Sequence, residues 1–355
     1  MGKRLLLSLA SLFVALLLVE VALRVAGVGS AGRGSPWFAG GNHPRFLFQE
    51  DPASGYALRP GFRGEEIAAS GEFHAPVAID GRGMRSQPQP APGPEVVLAV
   101  GDSMTFGEGV AAEATWSARL GQALGVPVWN GGVPGYDSAQ MAAHARRLAA
   151  GLHPALVLMV FLPQWDLGRC THPFVYRDGY IVSQSYADRL WLVDGNLYAS
   201  MTRLPLLGPL TAYAQGYSNL GRLLLPRLHD RLEPAKVARD DAEMEHEHED
   251  WTACRAAIVG LRDELAASGS RLVVVFIEST TQANRRDARF AGAALEAQGV
   301  EVLRLDNLLP AGLDREAIVF RTDRHWNARG HAAVAEALAP VVRQALAAAK
   351  GHGAP

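Results

Sequence analysis

Five short apolar runs, each followed by a stretch with helical spacing, constrain this chain more than any other feature. They occupy residues 96–100, 126–129, 156–162, 271–277 and 300–305. The helical patterns after them cover 112–124, 138–150, 251–268, 284–298 and 328–349. A strand buried on one face alternates polar and apolar residues, whereas a strand covered on both faces reads as an unbroken apolar run. The alternation therefore predicts an α/β fold, a doubly wound parallel sheet with helices on both faces, and five strands suggest a flavodoxin-like order.

The N-terminus has a different character. Lys3 and Arg4 precede an apolar run over 5–19, which resumes over 21–23 after Glu20 and stops at Arg24. Roughly 19 such residues approach the length that crosses a bilayer, and a basic flank is retained in the cytoplasm. Residues 1–26 are expected to be a transmembrane or signal segment. As an inner-membrane anchor it leaves the following domain periplasmic or extracellular; the small residues Gly29, Ser30 and Ala31 keep open a cleaved signal and a secreted product. Glu20 is tolerable if it lies near the outer interface.

Residues 27–94 read as a Gly/Ser/Pro tether followed by a small β-rich lead-in with extended stretches such as 75–79, ending in a Pro-rich segment. The main domain covers 95–349 and carries an insertion at 168–250, aromatic at first and acidic at its end. Phe174, Tyr176, Tyr180, Tyr186, Trp191 and Tyr198 either pack the insertion or form a sugar-stacking wall. The run with Glu243, Glu245, His246, Glu247, His248 and Glu249 reads as a solvated linker, so no metal and no cofactor is expected. Lys and Arg number 34 against 36 Asp and Glu, a net charge of -2, which makes nucleic acid an unexpected partner. With only Cys170 and Cys254, a disulfide framework and a multi-thiolate zinc site are excluded, while one bridge stays open.

In a doubly wound sheet, reactive groups gather where strands end and helices begin. After the first strand comes Gly101-Asp102-Ser103-Met104-Thr105-Phe106-Gly107, which puts the Ser103 hydroxyl just past the strand; taken alone, the triplet reads as a helix cap. Before the last helix stands Asp323-Arg324-His325-Trp326-Asn327. A serine becomes nucleophilic when a base takes its proton, and a histidine base needs a carboxylate to fix its tautomer. Asp323 and His325 are residues of the required kinds. After the second strand, Asn130-Gly131-Gly132-Val133-Pro134-Gly135 reads as a glycine-rich turn that can aim an N–H into the crevice.

In this order the blocks resemble those of the SGNH (GDSL-like) hydrolases, over roughly residues 95–165 and 251–349. The resemblance implies the SGNH hydrolase fold, Ser103 as nucleophile, His325 as base and Asp323 as its orienting partner. It also implies an oxyanion hole built from the N–H groups of Ser103 and Gly135. The final block looks like the shortened form of membrane-anchored and exopolysaccharide-modifying members; His331 falls in the helix, as packing or surface. The third block departs from the family: Trp165 stands where an Asn side chain normally donates, leaving Gln164 or Trp165 as the remaining donor.

The expected function is a serine esterase or O-acyltransferase acting on acyl esters, acetyl foremost, of a cell-envelope or secreted polysaccharide. The alternatives are a non-catalytic glycan- or partner-binding module on the same scaffold, prompted by Trp165, and a lipase or thioesterase. Nothing in the sequence fixes the oligomeric state.

Overall fold

The computed structural model describes residues 2–28, 42–68, 70–91, 93, 95–162, 170, 173–184, 190–193, 196–199, 207–232, 249–277 and 282–351. The chain opens with α1 (Gly2–Val25). Two antiparallel hairpins follow, β1 (Phe48–Asp51) with β2 (Gly55–Leu58) and β3 (Arg63–Ile67) with β4 (His74–Ala78). The alternating part runs β5 (Val97–Gly101), α2 (Ser103–Phe106), α3 (Trp116–Leu124), β6 (Val128–Gly132), α4 (Ser138–Leu152) and β7 (Leu156–Phe161). The insertion holds the hairpins β8 (Phe174–Arg177) with β9 (Tyr180–Ser183) and β10 (Leu190–Val193) with β11 (Asn196–Ala199), then α5 (Leu207–Tyr217) and α6 (Asn219–Leu232). Alternation resumes with α7 (Glu249–Ala267), β12 (Arg271–Phe276), α8 (Gln282–Glu296), β13 (Glu301–Arg304), the single turn α9 (Leu305–Leu308) and α10 (Ala328–Gly351).

Five strands form one parallel sheet in the order β13-β12-β7-β5-β6. Counted along the chain this is 2-1-3-4-5, the flavodoxin-like order. The order reverses at β5, whose neighbours β6 and β7 lie on opposite sides, and the crevice of such a sheet opens beyond the carboxyl ends at that reversal. Every residue of β5 is buried, and β12 is buried after its first residue, which accounts for the unbroken apolar runs. Trp116 and Leu120 of α3 and Val334, Leu338 and Val342 of α10 share a core with Val97, Leu158 and Val273 of the sheet. α4 buries Met141, Ala145 and Leu148, and α7 buries Ile258, Leu261 and Leu265. Each of the valine, leucine, isoleucine and methionine side chains contributes roughly 1.5–3 kcal/mol relative to exposure.

Two local expectations are corrected. The helix expected from 112 begins at Trp116, after a short 3-10 turn at Ala112–Ala114, because the Thr115 hydroxyl accepts the Ala118 N–H and caps the helix there. The second strand lies two residues later than expected: Pro127 lacks an N–H, and β6 continues through Asn130, Gly131 and Gly132. Those glycines serve close approach within the sheet, since a Cβ on Gly132 would run into the backbone of Phe106 and one on Gly131 would meet Leu148 at 2.8 Å. Cys170 and Cys254 are joined by a disulfide.

The chain divides into two units. Residues 42–181 and 240–355 form the larger one, with the parallel sheet and the first two hairpins. Residues 1–41 and 182–239 form the smaller, in which Val193, Tyr198 and Ala212 make a buried cluster. In it Gly216 of α5 approaches β10 so closely that a Cβ would collide with Val193. α1 is long and apolar enough to cross a membrane over Lys3–Val25, and no residue of that stretch is fully buried.

Gly132→Ala is expected to destabilise the larger unit by about 1–3 kcal/mol through overpacking against backbone. Gly151→Ala, with open space at its Cβ position, serves as control and should leave the midpoint in place or raise it slightly. Thermal unfolding of the two variants checks this.

Candidate active site

Ser103 stands just beyond β5, after Asp102, at the first position of α2. The Asp102 carboxylate accepts the Met104 N–H at 2.9 Å and starts the turn, and Gly107, at φ 86°, ends it in the left-handed region. The hydroxyl is thereby held at the strand's carboxyl end rather than on a mobile loop.

The partner loop is fixed from both sides. Asn327 caps α10, its Oδ1 accepting the N–H groups of Arg329 (2.9 Å) and Gly330 (3.2 Å). Its Nδ2 donates to the carbonyls of Ala317 (3.1 Å) and Val319 (3.0 Å). Glu72 accepts the N–H groups of Thr322 and Asp323 at 2.8 and 3.1 Å. Between Asp323 and His325, Arg324 takes φ 74°, a conformation disfavoured for a side-chain-bearing residue, and its guanidinium forms a forked pair with Glu316 at 2.6 and 2.8 Å. This reversal brings two side chains separated by one residue onto each other.

The resulting chain of contacts is continuous. His325 Nε2 lies 2.7 Å from Ser103 Oγ, and His325 Nδ1 lies 2.5 Å from Asp323 Oδ1. With Nδ1–H donating to the carboxylate, Nε2 presents its lone pair to the hydroxyl, the tautomer in which imidazole accepts a proton from serine.

Beneath this chain lies a cluster of buried charged groups. Glu108 Oε2 is 3.5 Å from His325 Nε2 and 3.3 Å from His43 Nε2. His43 Nδ1 meets Glu66 Oε1 at 2.6 Å, and Glu66 Oε2 accepts the Gly109 N–H at 3.1 Å. Arg85, 3.9 Å from Glu66, donates to the carbonyls of Phe106 (3.0 Å), Gly107 (2.8 Å) and Val110 (2.6 Å) and so holds the turn that follows Ser103. Asn42 Nδ2 donates to both Glu108 and Asp323, each at 2.7 Å, joining the two carboxylates through one amide.

Electrostatics follow from this packing. Burial alone would lower the His43 pKa, but Glu108 and Glu66 raise it to about 10, so His43 is a buried cation at neutral pH. Burial would raise Glu108; the positive charges of His325 and His43 and the His43 and Asn42 hydrogen bonds instead hold it well below the carboxylate range. For His325 burial lowers and Glu108, then Asp323, raise, with the net result pushed up to about 9. His331 behaves oppositely. Burial, with Arg85 nearby, pulls it down to about 3, and its neutral Nδ1 accepts the Trp116 N–H at 3.1 Å, a packing role.

Of the residues picked out in the sequence, Ser103, His325 and Asp323 are brought into hydrogen-bond reach. Gly135 lies after β6 at φ 79°, where a Cβ would meet the Tyr56 hydroxyl at 2.9 Å and Phe174 at 3.3 Å. Gln164, Trp165, Tyr186 and the acidic run over 243–248 lie outside the described residues. Tyr198 is core, not wall. Asn42, His43, Glu66, Arg85 and Glu108 carried no assignment from sequence; only Glu108, inside the first block, stood close enough to be suspected. Glu108, Asp323 and His325 also place ligand atoms within 4.8 Å of one another. Both imidazole nitrogens are already engaged and an amide N–H points at both carboxylates, an arrangement made for protons rather than for a cation.

Residues 237–354, about a third of the chain, match the family described as SGNH hydrolase-like domain, acetyltransferase AlgX. That segment carries Asp323 and His325 but not Ser103. No curated protein matches. Among solved structures, a G-D-S-L family lipolytic protein from Desulfitobacterium hafniense is similar at 12% identity and TM-score 0.39, with 69% of this chain and 98% of that one covered. TesA is similar at 13% identity and TM-score 0.38, covering 71% and 99%. A catalytic mutant of Axe2, an acetylxylan esterase from Geobacillus stearothermophilus, is similar at 12% identity and TM-score 0.37, covering 74% and 96%.

The His325 imidazole is expected to titrate near 9, measured by NMR of its ring nitrogens. Glu108→Gln removes the largest raising influence and should lower that midpoint by about one unit or more. An unchanged midpoint in the variant would contradict the role assigned to Glu108.

Proposed function

From its place among the SGNH (GDSL-like) hydrolases we propose that this chain is an exported serine esterase or O-acyltransferase, acting on acetyl or other short acyl esters of an envelope or secreted polysaccharide. The observation that carries the reading is the contact of His325 Nε2 with Ser103 Oγ at 2.7 Å, with Asp323 on the opposite ring nitrogen.

Ser103 Oγ attacks the ester carbonyl carbon while His325 Nε2 takes the hydroxyl proton. The imidazolium so formed is stabilised by Asp323, and by Glu108 behind it. The carbonyl oxygen becomes an oxyanion, held by the N–H groups of Ser103 and Gly135. As the tetrahedral intermediate collapses, His325 returns the proton to the departing alcohol oxygen and an acyl-serine remains. Water then attacks to release the acid, or a sugar hydroxyl attacks to give a new ester; in either case the nucleophile's proton passes to His325 and on to Ser103 Oγ. Because the base must be neutral and its pKa is raised, the rate rises with pH through the His325 titration.

Three observations support the finer parts of this reading. The family matched over 237–354 is described as an acetyltransferase, which favours acetyl as the group moved. The Cys170–Cys254 disulfide suits an oxidising compartment outside the cytoplasm. α1, with Lys3 and Arg4 before it, supports an inner-membrane anchor with the catalytic unit on the periplasmic or extracellular side.

A fluorophosphonate probe should label the protein, and labelling should vanish in Ser103→Ala. Asp323→Asn, which disturbs the tautomer, should lower turnover on the order of 10⁴-fold with folding intact. Gly135→Ala keeps the N–H but strains a backbone at φ 79° and presses a Cβ on the Tyr56 hydroxyl, so by shifting the donor it should lower turnover, by at most about a hundredfold. Absence of labelling in the folded wild-type chain would favour the binding module instead. Partition of a radiolabelled acetyl group between free acid and acceptor glycan separates esterase from transferase, and a p-nitrophenyl ester series that peaks at long chains would replace both with a lipase or thioesterase.

A further inference from the structure

Glu20 is the only acidic residue of α1. In the smaller unit its carboxylate accepts four hydrogen bonds: from the Ser218 hydroxyl (2.9 Å), the N–H of Asn219 (3.0 Å), the N–H of Leu220 (2.9 Å) and Arg24 Nε (2.7 Å). It thus stands where a capping side chain would stand for α6, satisfying N–H groups that the helix itself leaves open. Arg24 Nη2 donates to the carbonyl of Tyr217 at 2.6 Å, the last residue of α5, and Asn219 Nδ2 donates to the carbonyl of Val28 at 3.0 Å. The turn between α5 and α6 is therefore fastened to the last turns of α1. The one acid that looked like a flaw in an apolar helix is the fastening.

Its position along α1 has a geometric meaning. At 1.5 Å per residue Glu20 lies about 25 Å from Lys3, close to the thickness of a bilayer's hydrocarbon core, about 30 Å. With Lys3 and Arg4 at one interface, the turn at 218 sits at the other.

The two fastened helices leave apolar side chains uncovered. On α5, Leu207, Leu210, Tyr213 and Tyr217 are 52%, 61%, 45% and 59% exposed, and their spacing places them within one arc. The opposite side, with Gly208, Ala212, Gln215 and Gly216, is buried. The Tyr213 and Tyr217 rings stack at 6.2 Å, and tyrosine is a residue of membrane interfaces. On α6, Leu224 and Leu228 are exposed, one turn apart. An uncovered apolar face joined directly to the exit end of an apolar helix is continuous with that helix's own lipid contact.

We propose that α5 and α6 seat this face in the outer membrane–water interface beside α1, so that three helices, not one, hold the protein to lipid. The proposal rests on the reading of α1 as a retained anchor, and it explains retention: cleavage after the apolar run would strip Glu20 and Arg24 from the turn they fasten.

Both native cysteines are paired, so an introduced cysteine is the sole free thiol. Leu12→Cys, Leu210→Cys, Leu224→Cys and the exposed control Gly151→Cys each receive a nitroxide label in the full chain, reconstituted in phosphatidylethanolamine–phosphatidylglycerol vesicles. Collision with oxygen is compared with collision with a water-soluble nickel chelate. Positions 12, 210 and 224 should each show an oxygen-to-nickel ratio several-fold above that at 151, with position 12 deepest. Lipid-like values at 12 with water-like values at 210 and 224 would overturn the seat and leave the anchor standing. Water-like values at 12 would remove the anchor and the seat together. Labels at 210 and 224 shielded from both agents, with spin–spin broadening that grows with protein density, would show a second copy covering the face and overturn the lipid assignment.

Discussion

The two nitrogens of His325 meet opposite demands, and the rest of the larger unit is arranged so that both are met. Nδ1 must give its proton to Asp323 so that Nε2 keeps a lone pair for Ser103. The serine is placed by the end of β5 and the histidine by the start of α10. β5 and α10 are buried in the same core, so packing of the sheet brings their two ends together, and the braced loop before α10 sets the final distance. The left-handed Arg324, braced by Glu316, is the local cost of letting Asp323 and His325 meet across a single residue.

Burying charge under this contact imposes a second constraint. Glu66, Glu108, His43 and Arg85 have little exposure, and each would be costly there alone. Together they alternate in sign, and Arg85 takes up three carbonyls of the turn behind Ser103 while Asn42 joins Glu108 to Asp323. The network couples the hairpins of the lead-in to the loop that carries the imidazole. Because Glu108 faces His325 Nε2, the same network that steadies the site also favours the protonated imidazole, holding the base back at neutral pH and stabilising the cation once a proton is taken from serine.

The fold was legible because its signal is local: a strand covered on both faces reads as an unbroken apolar run, and β5, β7 and, after Arg271, β12 do. Ser103, Asp323 and His325 were legible for a different reason, the order and spelling of motif blocks that resemble those of the SGNH (GDSL-like) hydrolases. Position alone did not single them out, since a Gly-Asp-Ser triplet after a strand also reads as a helix cap. What sequence could not disclose depends on partners far away along the chain. His43, Glu66 and Arg85 look like solvated residues of a polar lead-in, and only the fold puts each against the others. Gly131 and Gly132 look like a turn until the packing of α2 and α4 against β6 shows that they belong to the strand. Glu20 looks misplaced until Ser218 and the start of α6 are seen around it.

The central claim, that His325 makes a nucleophile of Ser103, is tested most directly by trapping the acyl-enzyme. The protein would be quenched in acid during turnover of an activated acetyl ester, and its peptides weighed by mass spectrometry. The account predicts one acetyl adduct, on the peptide and residue of Ser103, that fails to accumulate in His325→Ala. An adduct elsewhere, or one on Ser103 that forms equally fast without the imidazole, would contradict it.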